Sequence, residues 1–324
     1  MIFYHAKNLV KNLQRTISII PIHYRHASTN YKSDSLELAY NSYESTNTYS
    51  EDNPAPIPLI ILHGLLGSKN NWNTTSKKLH LHTKAKVLAV DARNHGDSPH
   101  YREHNYDSMV VDLKNFMDSM ALRRVNLLGH SMGGRTAMLF ALKYPDLVNK
   151  LVIVDISPIS TSMSLKIIPP VLQSLKSLQI PSNRPLRDAR RIVAENLINV
   201  IKNRLLLGFL LTNLVQKIDG SYGWRFNTRA LLENFDKILS FPETHNISFG
   251  GPTLFLGGSK SDFIQKSDLP KIQKLFPSAE LKFIEGAGHW LHSEKPAEFM
   301  GITLDFLNRK IDASHVKNES KTNL

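Results

Sequence analysis

The chain has 324 residues, 41% hydrophobic and 21% charged, with no cysteine. That size accommodates one large α/β domain carrying an inserted subdomain, and the lack of cysteine excludes disulfides and thiolate metal sites. The formal charge is +12, but Lys7, Lys11, Arg15, Arg25 and Lys32 precede the first acid, Asp34, leaving +7 spread over the rest without a basic block. No aromatic-and-basic interleaving marks a nucleic-acid groove, and no run reaches the roughly 20 apolar residues of a membrane-spanning helix.

The first 33 residues read as a leader. Leu9, Leu13, Ile17 and Ile20 recur at helical spacing, with Lys7, Lys11 and Arg15 on another face. An amphipathic, basic, acid-free start is the pattern of a mitochondrial transit peptide, with processing expected between residues 22 and 34.

Short apolar runs follow at Leu36–Tyr40, Leu59–Leu62, Lys86–Val90, Val125–Leu128, Leu151–Val154, Thr253–Leu256 and Leu281–Ile284. Continuous runs of this length suit strands buried on both faces of a parallel sheet. Helical patterns separate them: Val110, Leu113, Met117 and Met120 line one helix, with Asp107 as its expected N-cap, and Ala137, Phe140, Ala141 and Tyr144 line another. The alternation predicts a doubly wound α/β sheet. It breaks between Pro158 and Gly250, where helices are expected near 166–177, 186–203, 204–215 and 228–239 and no buried strand is evident. The expected organisation is a leader over 1–33, core over 34–157, a helical cap over 158–250, core again over 251–310 and a polar tail over 311–324.

Gly129-His130-Ser131-Met132-Gly133 stands between a strand and a helix. In that context G-x-S-x-G predicts a tight elbow: Gly129 and Gly133 permit the bend, and Ser131 is pushed clear of the sheet as a nucleophile. A serine hydroxyl needs a base. His289, in Gly286-Ala287-Gly288-His289-Trp290 after the last strand, has the position and small neighbours for it. Two carboxylates at strand ends could orient that imidazole, Asp155 and Asp262, and spacing alone does not separate them. Two backbone amides should receive the oxyanion, those of Met132 and of Leu65 in His63-Gly64-Leu65-Leu66-Gly67. The cluster Asp91–His100 is expected to brace neighbouring loops through side-chain-to-backbone bonds. No H-E-x-x-H pattern occurs, so neither a metal nor a cofactor is implied.

Over about residues 35–310 these motifs resemble the α/β-hydrolase superfamily. Residues 61–69, 90–100, 129–134, 154–158 and 286–290 are similar to a mitochondrial branch of it typed by sn-1-specific diacylglycerol lipases, and so is the cap run Leu210-Leu211-Thr212-Asn213-Leu214-Val215. The resemblance implies an α/β-hydrolase fold with an inserted helical cap and ester hydrolysis with an acylglycerol substrate. It implies Asp155 as triad acid, Asp262 being the position the wider superfamily uses. It also implies the mitochondrial matrix and association with the 2-oxoglutarate dehydrogenase complex in support of lipoylation. Acyl transfer to an alcohol through the same acyl-serine is the enzymatic alternative, and a non-catalytic, chaperone-like partner of a matrix complex is the alternative from another class.

Overall fold

The computed structural model describes residues 36–46, 50, 54–182 and 184–310. The expected leader and polar tail lie outside these residues. Seven strands form one sheet: β1 (Tyr40–Tyr43), β2 (Leu59–Leu62), β3 (Val87–Val90), β4 (Val125–His130), β5 (Val148–Val154), then β8 (Thr253–Gly258) and β9 (Ala279–Ile284) after the hairpin β6 (Leu214–Gln216) and β7 (Tyr222–Trp224). Their order is β1-β3-β2-β4-β5-β8-β9, parallel throughout except for β1, which runs antiparallel to β3 at the edge.

Both faces of the sheet are buried, and the residues of β2 alternate between them. Ile60 and Leu62 join the larger core, packed with Met109, Leu113 and Phe140 from the helices Tyr106–Ser119 and Met132–Lys143. Leu59 and Ile61 join the smaller one, with Trp72, Leu79, Phe299 and Phe306 from the helices on the opposite side. This period of two is why the runs read as continuously apolar.

From β2 the chain moves one way to β3 and then crosses back to β4, so strand order reverses between β2 and β4. Open α/β sheets place ligands at such a switch point, beyond the carboxyl ends of the strands. The loops after β2, β4, β5, β8 and β9 all end on that edge.

Between β5 and β8 the chain forms the helices Ile168–Ser177, Leu186–Leu197, Arg204–Leu211, Thr228–Glu233 and Phe235–Leu239. It also forms the antiparallel β6–β7 hairpin, where only helix was expected. Its strands have three residues each, too short for a periodicity signal, but the Asp219-Gly220 pair at the turn, with Gly220 at φ 82, is a hairpin signature.

Two local expectations are corrected. The first strand begins at Tyr40, not Leu36, because Leu36 and Leu38 pack into the core as extended coil while residues 40–43 carry the pairing. The cap of the helix Tyr106–Ser119 is Asn105, whose side chain accepts the Ser108 N–H at 2.8 Å. Asp107 sits in the first turn, paired with Lys143 at 2.5 Å.

Candidate active site

The elbow after β4 is held by backbone contact. Ser131 has φ 53 and ψ −119, a conformation costing a non-glycine residue about 1–3 kcal/mol that the surroundings must supply. Its N–H donates to the Val154 carbonyl at 3.0 Å, and its carbonyl accepts from Arg135 N–H at 3.1 Å. A Cβ on Gly129 would stand 2.3 Å from the Gly133 carbonyl oxygen, and one on Gly133 would stand 2.4 Å from that of Leu62. Both glycines are therefore required by close approach. The helix Met132–Lys143 starts directly behind Ser131, so the Met132 amide is one of the unpaired donors of its positive end. The Met132 side chain turns the other way, its Sδ 3.3 Å from Nε2 of His104.

Asp155 follows the last residue of β5 at φ 51 and is fully buried. Its Oδ1 accepts the Gly258 N–H at 2.8 Å. Its Oδ2 accepts from Nδ1 of His289 at 2.7 Å and from the Ser261 hydroxyl. The bond to the carboxylate keeps the proton on Nδ1 and leaves Nε2 of His289 as an acceptor. The imidazole stacks on Phe263 at 3.8 Å between centroids. Glu294 fixes the loop carrying it, taking the N–H groups of Gly288 at 2.9 Å and Trp290 at 3.1 Å.

Asp262 does not meet His289. Its carboxylate accepts the hydroxyls of Ser162 at 2.5 Å and Ser164 at 3.0 Å, tying the β8 loop to the start of the 163–177 helical segment. The structure thus brings His289 to Asp155 and gives Asp262 to a neighbouring loop.

Ser131 and His289 open into one cavity of about 630 Å³, together with Leu65. No hydrogen bond among the described residues joins Ser131 to His289, a contact that in hydrolases tightens with the reacting complex. The rings of His130 and His289 are 4.6 Å apart, and the His289 carbonyl meets Nε2 of His130 at 2.9 Å, so the elbow and the His289 loop are in direct contact. Burial, with the neighbouring His289 and His292 adding to it, pushes the His130 pKa well below the ordinary value. His130 therefore stays neutral beside Ser131. Ile167, Leu206 and Phe209 from the inserted segment line the opposite wall.

The Asp91–His100 cluster is a brace, as expected. Asp91 accepts the Lys69 amide at 2.6 Å and the Lys69 ammonium at 2.5 Å. Burial pulls the Lys69 pKa down, but Asp91 and Asp97 outweigh it and hold it raised. Nε2 of His63 accepts the Ala92 N–H at 3.0 Å while its Nδ1 donates to the Gly64 carbonyl at 2.8 Å. Burial lowers its pKa and keeps it neutral.

With this geometry in place, the alpha/beta hydrolase fold model matches residues 57–296. The chain belongs to the α/β-hydrolase fold family. The sn-1-specific diacylglycerol lipase ABHD11 of Danio rerio is 44% identical over 250 residues, spanning 77% of this chain and 78% of that protein. The lipase of the same name from Mus musculus is 43% identical over 84% of this chain and 85% of its own length. A solved marine microorganism esterase superposes with a TM-score of 0.75 at 39% identity, covering 84% of this chain and all of its own. Around the site of this α/β-hydrolase, sequence reasoning missed Ser261, Phe263 and Glu294. Each acts by contact with a motif residue and belongs to no motif of its own.

Proposed function

We propose that this chain hydrolyses carboxylic esters, of the acylglycerol class, through an acyl-Ser131 intermediate. The observation that carries the reading is the Asp155–His289 hydrogen bond at the wall of the cavity into which Ser131 opens. Ser131 Oγ attacks the ester carbonyl carbon while Nε2 of His289 takes the hydroxyl proton. Asp155 stabilises the resulting imidazolium and keeps its ring in place. The amides of Met132 and Leu65 receive the oxyanion, each typically worth about 2.7–4 kcal/mol in the transition state. His289 then protonates the departing alkoxide. Water, deprotonated by the same nitrogen, attacks the acyl carbon, and the acid leaves as Ser131 regains its proton.

The acylglycerol class is supported by the named activity of the relatives and by the cavity. Its volume lies within the roughly 300–1,000 Å³ of small-ligand sites, and Ile167, Leu206 and Phe209 put an apolar patch on its outer wall. The leader supports a mitochondrial location, with cleavage between residues 22 and 34. Association with the 2-oxoglutarate dehydrogenase complex rests on the resemblance, and rescue of cellular lipoylation by Ser131→Ala would make that role non-catalytic.

Labelling with a fluorophosphonate probe, followed by mapping of the modified residue, tests the reading. Modification of Ser131 is expected, with loss of both labelling and nitrophenyl-ester turnover in Ser131→Ala. Equal turnover by the variant would overturn it. Ester formation in added ethanol, at the expense of free acid, would reassign the same acyl-enzyme to transfer.

A further inference from the structure

The turn presenting Leu65 is gripped from outside by two side chains remote from it in sequence. Gly64 to Gly67 close it with a Gly67 N–H to Gly64 carbonyl bond of 3.0 Å, and Leu66 within it has φ 61. That left-handed conformation costs a residue with a Cβ about 1–2 kcal/mol, so something must hold it.

The Leu66 N–H donates to Nε2 of His95 at 3.1 Å. Nδ1 of the same ring lies 3.0 Å from the Arg93 carbonyl, which places the proton there and makes Nε2 a fixed acceptor. Burial and the neighbouring His63, His104 and His100 keep the ring neutral. The Leu66 carbonyl accepts from Nδ2 of Asn213 at 2.8 Å. Both side chains are buried. Asn213 lies in the inserted segment, between the helix Arg204–Leu211 and β6. Its backbone is fixed there by bonds from its N–H to the Leu210 carbonyl and from Arg225 N–H to its own carbonyl, each 2.9 Å. It is also the asparagine of the run 210–215, whose reason the triad does not explain.

The two grips act on the peptide groups on either side of one α-carbon. With the 65–66 amide held by His95 and the 66–67 carbonyl held by Asn213, neither φ nor ψ of Leu66 can relax, and only the Leu65 α-carbon separates the Leu65 N–H from the constrained peptide. We propose that Asn213 and His95 are positioning residues for the oxyanion turn, so that the inserted segment supplies part of the geometry of the catalytic centre. This rests on the reading of Leu65 as an oxyanion donor. A purely structural contact would stabilise the fold and leave the chemical step alone.

Kinetics of nitrophenyl butyrate hydrolysis separate the two, with active sites counted by fluorophosphonate burst labelling so that misfolded protein does not enter. Removing a whole oxyanion donor costs about 10²–10³ in kcat, and displacing one is expected to cost about tenfold or more. Asn213→Ala should lower kcat by that factor with KM within about twofold. It should weaken a trifluoromethyl ketone, which forms a tetrahedral oxyanion on Ser131, in the same proportion. His95→Gln, whose amide oxygen can accept the Leu66 N–H, should retain several times the kcat of His95→Leu. The proposal is overturned if Asn213→Ala keeps wild-type kcat per labelled site while its melting temperature falls. It is overturned equally if His95→Gln and His95→Leu are indistinguishable. A wild-type protein that no probe labels would instead defeat the underlying catalytic reading.

Discussion

Asp155 and Asp262 differ in what their carboxylates already touch. Asp155 collects three donors, one of them His289, whereas Asp262 is spent on two serine hydroxyls of a neighbouring loop. Asp155→Asn would favour the wrong imidazole tautomer and is expected to lower kcat by about 10⁴. Asp262→Asn should stay within a fewfold of wild type, since an amide still accepts from serine hydroxyls. Ester turnover by the two variants decides it, and comparable losses in both would sink the assignment. Spacing could not separate the two acids because both follow strands on the same sheet edge. What distinguishes them is the φ of 51 at Asp155 and the placement of Ser162 and Ser164, neither visible before the chain is folded. Ser131 and His289 were legible because their motifs encode backbone requirements: at Gly129 and Gly133 a Cβ would strike a backbone carbonyl, and Gly286 sits at φ 73.

At the level of elements, legibility tracked apolar continuity. β2 was read to the residue because all four of its side chains are buried and aliphatic. β5 begins three residues before its apolar run, at Val148, because Asn149 and Lys150 are polar yet buried. Lys150 sends its ammonium to the carbonyls of Phe306 and Leu307, at 3.0 and 2.7 Å, capping the final helix, Pro296–Asn308. A strand whose polar residue serves another element does not look like one in isolation. The elbow helix and β2 meet at Gly133, where a Cβ would also stand 2.5 Å from the His63 carbonyl. Gly133→Ala must push β2 and its loop away from the helix. The expected cost is about 3 kcal/mol, the upper part of the overpacking range, with loss of activity beyond the loss of fold because the displaced loop carries Leu65. Urea unfolding together with ester turnover per labelled site measures both, and a variant matching wild type in each would contradict the close approach.

Across the whole molecule, the inserted segment is joined to the sheet by buried polar contacts as well as apolar ones. Arg135, 1% exposed, sends its guanidinium from the elbow helix to the carbonyls of Ser157, Ser160 and Leu239, and the Tyr106 hydroxyl meets the Ile238 carbonyl at 2.8 Å. Neutral buried histidines of the core give stability a pH dependence. Burial lowers His104 and His292 to about 3, with Arg93 and His63 adding to the effect on His104 and His289 to that on His292. Nδ1 of each ring has no hydrogen-bond partner among the described residues, so neither site is built to hold an extra proton. Their folded values lie below the unfolded 6.5, so unfolded chains bind more protons as pH falls. The contribution of each neutral ring is fully present above about pH 6.5 and is lost progressively toward pH 3. Between pH 7 and 5 the loss is on the order of 2 kcal/mol per histidine. His292→Phe keeps the stack on Trp72, now 4.2 Å between centroids, while removing the titration, and His104→Phe removes the other. His63, His95 and His130 are lowered too, so urea midpoints measured across that range should fall steeply for the wild type and less steeply, by about one histidine's share of the five, for either variant. Parallel curves for all three proteins would show that the acid sensitivity resides elsewhere.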